Sequence, residues 1–497
     1  MPPKKTNKIA ITDNTTSAST SASTSASISE YESIIPKISN YEYLPVVVDV
    51  STKHDNDFFT SDPEMELQPY ASYPLFTNGF HHFIHANKNK MEILDTFKNK
   101  KKVYLVVNEF ERYVDNYDAS IGNISSKYFN EHNQKNKPEI LSRGFYKLWE
   151  LLFMFDLIPV NKKNFVSAHL AEGPGSFIQA TIFFRDMFCT SGKPHTDKYH
   201  AITLHPDDEQ NNVPELEKQF ISFYNAENPR RFILHETQPT KIARSLPNKN
   251  NGDLTDPKTV VLFGGQVKNA GQKADFITAD GGFNWKNENT QEQEAFRLII
   301  GQIITAITTQ NKGGNFVCKF FETYTDISIK LIYLLSQMYE KVYIAKPLTS
   351  RQSNSEKYAV CMNFKYNDTD KNYTAIYKTL SKIHEDLHKN NTLHVYKLWN
   401  NYKIPELFRK TIIHLNKTIA NKQLKNINDI TQFINSQNYY GDAYQMYHQK
   451  QIDSSKYWIK LFMPYIDDFD KIIKHCRTST NKIIDKTNQI IETAKYN

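Results

Sequence analysis

Cysteine is scarce: the 497 residues contain four, Cys189, Cys318, Cys361 and Cys476. None shares a CxxC spacing or sits in a Cys/His cluster. This argues against a disulfide framework and a zinc site, and it fits a reducing compartment. No apolar run reaches the length of a membrane span, and the N-terminus lacks the apolar core of a secretory signal. No segment repeats along the chain. Charge of one sign is also in short supply. The net excess is +7, with a pI near 8.8, spread along the chain. That permits an anionic partner such as RNA without demanding one.

What is present is enough for a core. Hydrophobic residues make up 39% and aromatics 13%. The length suggests two or three domains. Asn, Lys, Ile and Tyr abound throughout, which reads as a coding bias toward A/T-rich codons.

Four regions are expected. Residues 1–38 hold a short basic patch (Lys4, Lys5, Lys8) and the Ser/Thr/Ala run STSASTSAS, a composition that cannot bury enough surface to fold. Residues 39–140 form a mixed α/β extension, with predicted strands at VVVDV (46–50) and VYLVV (103–107) and aromatic clusters at SYPLF (72–76) and GFHHFIH (79–85). Residues 141–365 alternate short β-branched runs with helical periods. Strands are predicted at 165–170, 200–204, 275–279, 315–320, 342–345 and 358–362. One helix carries Phe296, Ile299, Ile300, Ile303, Ile304 and Ile307 on one face; a second carries Ile327, Leu331, Leu334, Leu335 and Met338. Such alternation implies a mostly parallel sheet with helices on both faces. In residues 366–497 the strand signal fades, and Trp458, Leu461, Phe462 and Tyr465, then Ile483, Ile484, Ile490 and Ile491, mark helical faces.

The segment HLAEGPGSF (169–177) follows a strand and precedes the helical stretch IQATIFFRDMF. A Gly-Pro-Gly turn there lets backbone approach a ligand and offers amides at a helix N-terminus. Ligands in open α/β sheets bind at the carboxyl ends of strands, where this turn falls. Taken alone, such a turn is as often structural. Further along, GDLTDPKTV (252–260) reads in isolation as a helix start, with Asp253 or Thr255 as N-cap and Pro257 in the first turn.

Together with four more segments, these resemble the FtsJ-like (RrmJ-type) ribose 2′-O-methyltransferases. SRGFYKL (142–148), ADGGFNW (279–285), GGNFVCKFF (313–321) and KPLTSRQSNSEKYAV (346–360) occur in the family's order and approximate spacing. The resemblance implies a Rossmann-like, seven-stranded methyltransferase sheet and S-adenosylmethionine as cofactor. It implies Lys147, Asp280, Lys319 and Glu356 as the catalytic set. Glu172, Gly173, Pro174, Gly175, Ser176 and Phe177 would form the loop that holds the cofactor's methionine part. Ser176 replaces the usual second glycine. His169 stands where many members have Asp, with Glu172 as the substitute carboxylate for the methionine amino group. Asp253 would accept from the adenine amino group, and Asp280 would face both cofactor and hydroxyl. The acid that meets the cofactor's ribose is absent at Leu204 and His205 or displaced to Asp207.

The chemistry explains the residue types. A ribose 2′-hydroxyl holds its proton tightly and must lose it, or nearly so, in line with the methyl carbon. A lysine acts as base when burial or a neighbouring cation lowers its pKa. Lys319 is the expected residue that takes the proton or stabilises the alkoxide, with Asp280 and Glu356 orienting the two lysines. The step needs no metal. Each residue alone would read as surface charge or part of an amphipathic helix; the joint order of the motifs overturns that.

The extra residues before and after the catalytic region resemble the cap-directed cellular and large-DNA-virus members, as do the GPGSF and ADGGF segments. Capped messenger RNA, modified at its first transcribed nucleotides, is therefore the favoured substrate. Structured ribosomal or transfer RNA is the alternative, and a retired methyltransferase domain serving as an RNA-binding or scaffold subunit is the alternative of another class. Arg143, Lys346 and Arg351 are candidate phosphate contacts, with solvated surface charge as the equal alternative. Capping or transcription proteins are conceivable partners; a membrane is not. The expected location is the cytoplasm, or for a viral chain a replication site or the virion, with the nucleus as the alternative to either and secretion excluded.

Overall fold

A computed structural model describes residues 45–71, 80–97, 103, 106–110, 128–129, 138–189, 196–206, 213–282 and 288–494. The 1–38 tail, the SYPLF cluster, Asp207 and Phe283 to Trp285 lie outside these residues.

The β-branched runs assemble into one sheet. Its strands are β1 (Val46–Asp49), β3 (Val166–Leu170), β4 (Lys198–Ile202), β5 (Phe232–Leu234), β6 (Ala274–Ala279), β7 (Gln310–Phe320), β8 (Tyr339–Lys346) and β9 (Lys357–Phe364). The order is β1-β8-β9-β7-β6-β3-β4-β5. Strands β5, β4, β3, β6 and β7 run parallel, β9 is antiparallel to β7, β8 antiparallel to β9, and β1 antiparallel to β8. A separate ribbon pairs β2 (Glu66–Gln68) with β10 (His394–Lys397).

Among the described residues the sheet thus has eight strands where seven were expected, because the VVVDV run of the N-terminal extension adds itself along β8. VYLVV is a second correction: its described residues Val103, Val106 and Val107 are helical. They are buried against Ile430, Phe433 and Ile434, so a long-range apolar contact overrides their β-propensity. Strand β5 is three residues long and carried too little pattern to predict.

The two predicted helices are present as Gln291–Thr309 and Asp326–Met338, and every apolar residue assigned to their inner faces is buried. Burying each such Ile or Leu contributes roughly 1.5–3 kcal/mol. These helices share one core with the alternate strand residues Val166, Ala168, Leu170, Ile277, Phe316 and Cys318. Helices Gly144–Phe155 and Ser176–Phe188 pack side by side elsewhere on the sheet, and Phe469 of the C-terminal helix Phe469–Thr493 stacks on Phe188 at 4.2 Å.

The C-terminal region is helical, with Lys371–Lys389, Glu406–Ser436, Asp442–Phe462 and Phe469–Thr493. Two faces differ in detail. Tyr465 lies beyond the end of its expected helix, after Pro464, and is 73% exposed. In the last helix Ile484 and Ile491 are buried, whereas Ile490 is exposed.

Candidate active site

The Gly-Pro-Gly turn closes β3 and opens helix Ser176–Phe188. Gly175 has φ +113°, a backbone conformation that a side chain would strain. At Gly173 any Cβ would stand 1.9 Å from the Pro214 carbonyl oxygen, so only glycine fits beneath the 213–217 segment. The Gly173 amide points at Thr203 Oγ1, 3.3 Å away. A Cβ on Gly252 would lie 2.0 Å from the Thr203 carbonyl. The two segments expected to hold the cofactor therefore meet at the carboxyl end of β4.

Glu172 is buried, and its Oε1 accepts from the Ile178 amide at 2.8 Å. Its Oε2 has no partner among the described residues. Burial, and then Asp280 nearby, raise its pKa well above the usual carboxylate value. An orphaned buried carboxylate oxygen beside a glycine turn suits a ligand ammonium. His169 is different. Its ring is fully buried between β3 and β6, joined to Ser167 Oγ (2.9 Å) and Thr278 Oγ1 (2.8 Å), and burial lowers its pKa to about 3. It is a neutral core histidine. Ser176, in place of glycine, bonds Ser142 at 2.6 Å and so ties the turn to the SRGFYK segment. The Phe177 ring is buried against Tyr358 at 5.9 Å and backs the site from below.

Asp253 accepts from the amide and hydroxyl of Thr255, both at 2.8 Å. It closes a local turn; the helix cap is Asp256, which receives the Lys258 amide, with Pro257 as first helical residue. The cap expected at Asp253 or Thr255 thus falls one to three residues later.

The four motif residues converge. Helix Gly144–Phe155 delivers Lys147, whose Nζ lies 2.7 Å from Glu356 Oε1. Asp280 follows β6, and Lys319 lies in β7. Lys319 Nζ donates to the Asp280 carbonyl at 2.7 Å and pairs with its Oδ1 at 3.2 Å. The β7–β9 register sets Lys319 directly opposite Tyr358. Strand alternation then places Glu356 on the same side as Tyr358. The Tyr358 hydroxyl stands 3.2 Å from Asp280 Oδ1 and 3.2 Å from Glu356 Oε1, bridging the two ion pairs. Burial pushes that hydroxyl's pKa well up, so it remains a donor. Burial alone would raise Glu356, but Lys147, Lys319 and Lys346 outweigh it and hold the carboxyl well below its usual range. Two cations and two anions leave the cluster near neutrality.

Lys346 overturns its sequence reading as a phosphate contact or surface charge. It is 2% exposed and lies beneath the loop it begins. Its Nζ lies within hydrogen-bonding distance of four oxygens that share its N–H donors: Ser350 Oγ (3.1 Å), Asn354 O and Oδ1 (3.1 and 2.9 Å) and the Glu356 carbonyl (2.8 Å). Burial lowers its pKa to about 7, against the pull of Glu356. Ser350 in turn donates to Glu356 Oε1 at 3.1 Å. Arg143 and Arg351 are half-buried. Tyr358 and Ser350 were the participants missed, and Lys346 was named in another role. All three lie inside the KPLTSRQSNSEKYAV segment; the i, i+2 spacing of Glu356 and Tyr358 on a strand was the available signal.

Residues 140–364 match the profile of the FtsJ-like methyltransferases. That region belongs to this family. The FtsJ-like domain extends from just before the Lys147 helix to the end of β9. The chain is 29% identical over 353 residues to cap-specific mRNA (nucleoside-2′-O-)-methyltransferase 2 of Drosophila melanogaster, covering 68% of this chain and 45% of that protein. It is 41% identical over 118 residues to cap-specific mRNA (nucleoside-2′-O-)-methyltransferase 1 of Danio rerio, covering 23% of this chain and 14% of that protein. It is also 32% identical over 180 residues to the inactive cap-specific mRNA (nucleoside-2′-O-)-methyltransferase 1B of Caenorhabditis briggsae, covering 35% of this chain and 21% of that protein. The chain spans less than half the length of each relative. Since an inactive protein is among them, overall identity does not decide activity; the FtsJ-like domain's polar cluster bears on it directly. Among the described residues no His, Cys, Asp and Glu group is arranged to hold a metal, and no helix is long and apolar enough to cross a membrane.

Proposed function

We propose that this chain transfers a methyl group from S-adenosylmethionine to a ribose 2′-hydroxyl in the first nucleotides of capped messenger RNA. The observation that carries the reading is the pair of ion pairs, Lys319 with Asp280 and Lys147 with Glu356, joined through the Tyr358 hydroxyl beside the Gly-Pro-Gly turn. The bound cofactor supplies an electrophilic methyl on a sulfonium. Gly173, Pro174, Gly175 and Ser176 would line its methionine part, the free Glu172 oxygen would receive its ammonium, and Asp253 would meet its adenine.

The protein's own residues do the rest. Lys319 Nζ, held by both the carbonyl and carboxylate of Asp280, stabilises the oxyanion as it develops, or takes the 2′-hydroxyl proton once it has first given up one of its own. Lys147 adds a second positive charge, and Glu356 and Tyr358 fix both in one geometry. A cap-directed substrate is supported by the activities for which the relatives are named, and a further role beside capping or transcription proteins fits it. The cytoplasm, with the nucleus as alternative, is the compartment this substrate implies.

The test is methyl transfer to a short RNA with and without a 5′ cap. Labelling confined to the capped RNA is the expected result. Equal labelling of both would end the cap assignment, and labelling of neither, with no S-adenosylmethionine binding, would leave a retired domain.

A further inference from the structure

We infer that helix Glu406–Ser436, which lies outside the family-matched residues, positions the catalytic cluster through two buried amides, Asn416 and Gln423. This rests on the reading of Lys319 and Glu356 given above. The two residues are two turns apart and share a face. Asn416 holds the segment after β7: its Nδ2 donates to the Thr323 carbonyl at 2.8 Å, and its Oδ1 accepts from the Thr323 hydroxyl at 2.7 Å. Thr323 is four residues beyond Lys319. Gln423 holds the loop before β9: its Nε2 donates to the Ser353 carbonyl at 2.9 Å. Ser353 is three residues before Glu356. One helix therefore grips the flank of a catalytic lysine and the flank of a catalytic carboxylate.

Gln423 is the informative residue. It is fully buried, with Ile419, Ala420 and Ile427 buried around it on the same helix. Its Oε1 has no partner among the described residues. An apolar side chain would serve packing better, because burying an amide with an unmet acceptor is unfavourable. Among the described residues, the one bond its side chain makes goes to the catalytic loop. Two other side chains hold the same loop from different directions. Asn108, in the N-terminal extension, donates to the Thr349 carbonyl at 3.1 Å. Glu150, one turn beyond Lys147, accepts from the Leu348 and Thr349 amides at 2.8 and 2.9 Å. The same helix reaches the extension as well, since Asn426 Nδ2 donates to the Val106 carbonyl at 2.8 Å. The regions on either side of the FtsJ-like domain thus converge on one loop and set where Glu356 stands.

The test uses the full chain carrying Gln423→Met, which keeps the side-chain length and removes the amide. The expected result is a folded protein melting within a few degrees of wild type, kcat for methyl transfer lower by about tenfold, and an unchanged KM for S-adenosylmethionine. Amide hydrogen exchange over residues 348–356 should quicken by about tenfold, with exchange in β3 and β6 unaltered. Wild-type kcat in the folded variant overturns the inference while leaving the proposed function intact. If the wild-type chain transfers no methyl, the exchange measurement decides alone: unchanged exchange over 348–356 overturns the inference. Should Gln423→Met fail to fold, Asn416→Leu is read by kcat and by amide exchange over residues 320–325, the segment it holds; wild-type values of both overturn the inference.

Discussion

Tyr358 shows how much one hydroxyl can organise. It touches both carboxylates of the cluster, and each carboxylate holds a different lysine. Tyr358→Phe keeps the ring against Phe177 and deletes the bridge. The expected result is a fall in kcat of about tenfold with the KM for S-adenosylmethionine unchanged, measured by steady-state methyl transfer. Glu172 gives a pH signature. Its carboxyl is pushed well up by burial and by Asp280, so it holds a proton more readily than an exposed glutamate. A ligand ammonium favours the ionised form; binding should therefore release a proton, and affinity for S-adenosylmethionine should rise with pH. Calorimetry in two buffers of different ionisation enthalpy measures that release, and Glu172→Gln should abolish it. At this scale the motif residues were legible in the sequence because strand ends and glycine turns fix their positions. Lys346 was not. A lysine before a proline at a strand end reads as solvated, and only the loop that folds back over it makes it an interior amine.

At the scale of elements, the loop 347–355 stands out, because side chains distant in sequence hold it from outside while the buried Lys346 holds it from beneath. Glu150 is its anchor on the Lys147 helix, accepting from Leu348, Thr349 and the Thr349 hydroxyl. Burial raises its pKa to about 7, with the Thr349 bonds opposing. The folded value therefore lies above the unfolded value of about 4.5. The proton stabilises the folded state: the contribution is complete below about pH 4.5 and is lost as pH rises through 7. The melting temperature of wild type relative to Glu150→Gln should accordingly fall between pH 4.5 and 8, as scanning fluorimetry would record. A difference that stays flat or widens would place the titration elsewhere. Helix existence was legible here, since Gln291–Thr309 and Asp326–Met338 carry unbroken apolar periods. Strand β5 and the helical state of Val103, Val106 and Val107 were not, because three residues make no period and valines report only a preference for burial.

At the scale of the whole molecule, residues 45–497 cluster as one compact unit, with strand β1 closing the sheet along β8 and the C-terminal helices bracing the site's flank. The parallel half of the sheet could be read from strand–helix alternation; the eighth strand could not, because an isolated VVVD run does not say which edge it will join. The central claim concerns chemistry at a single hydroxyl. Its most direct measurement is the alkali- and nuclease-resistant dinucleotide left after digestion of a capped RNA that has been incubated with the chain and labelled S-adenosylmethionine. The cap's own 5′–5′ triphosphate also resists, so the digest includes a decapping step; the phosphodiester left between the first two nucleotides then resists only when the 2′-oxygen carries the methyl group. The expected result is a labelled resistant dinucleotide with wild type and none with Lys319→Ala, although the variant still binds S-adenosylmethionine. A resistant product of equal yield from Lys319→Ala would contradict the assignment of that lysine, and label found only on a base would contradict the reaction itself.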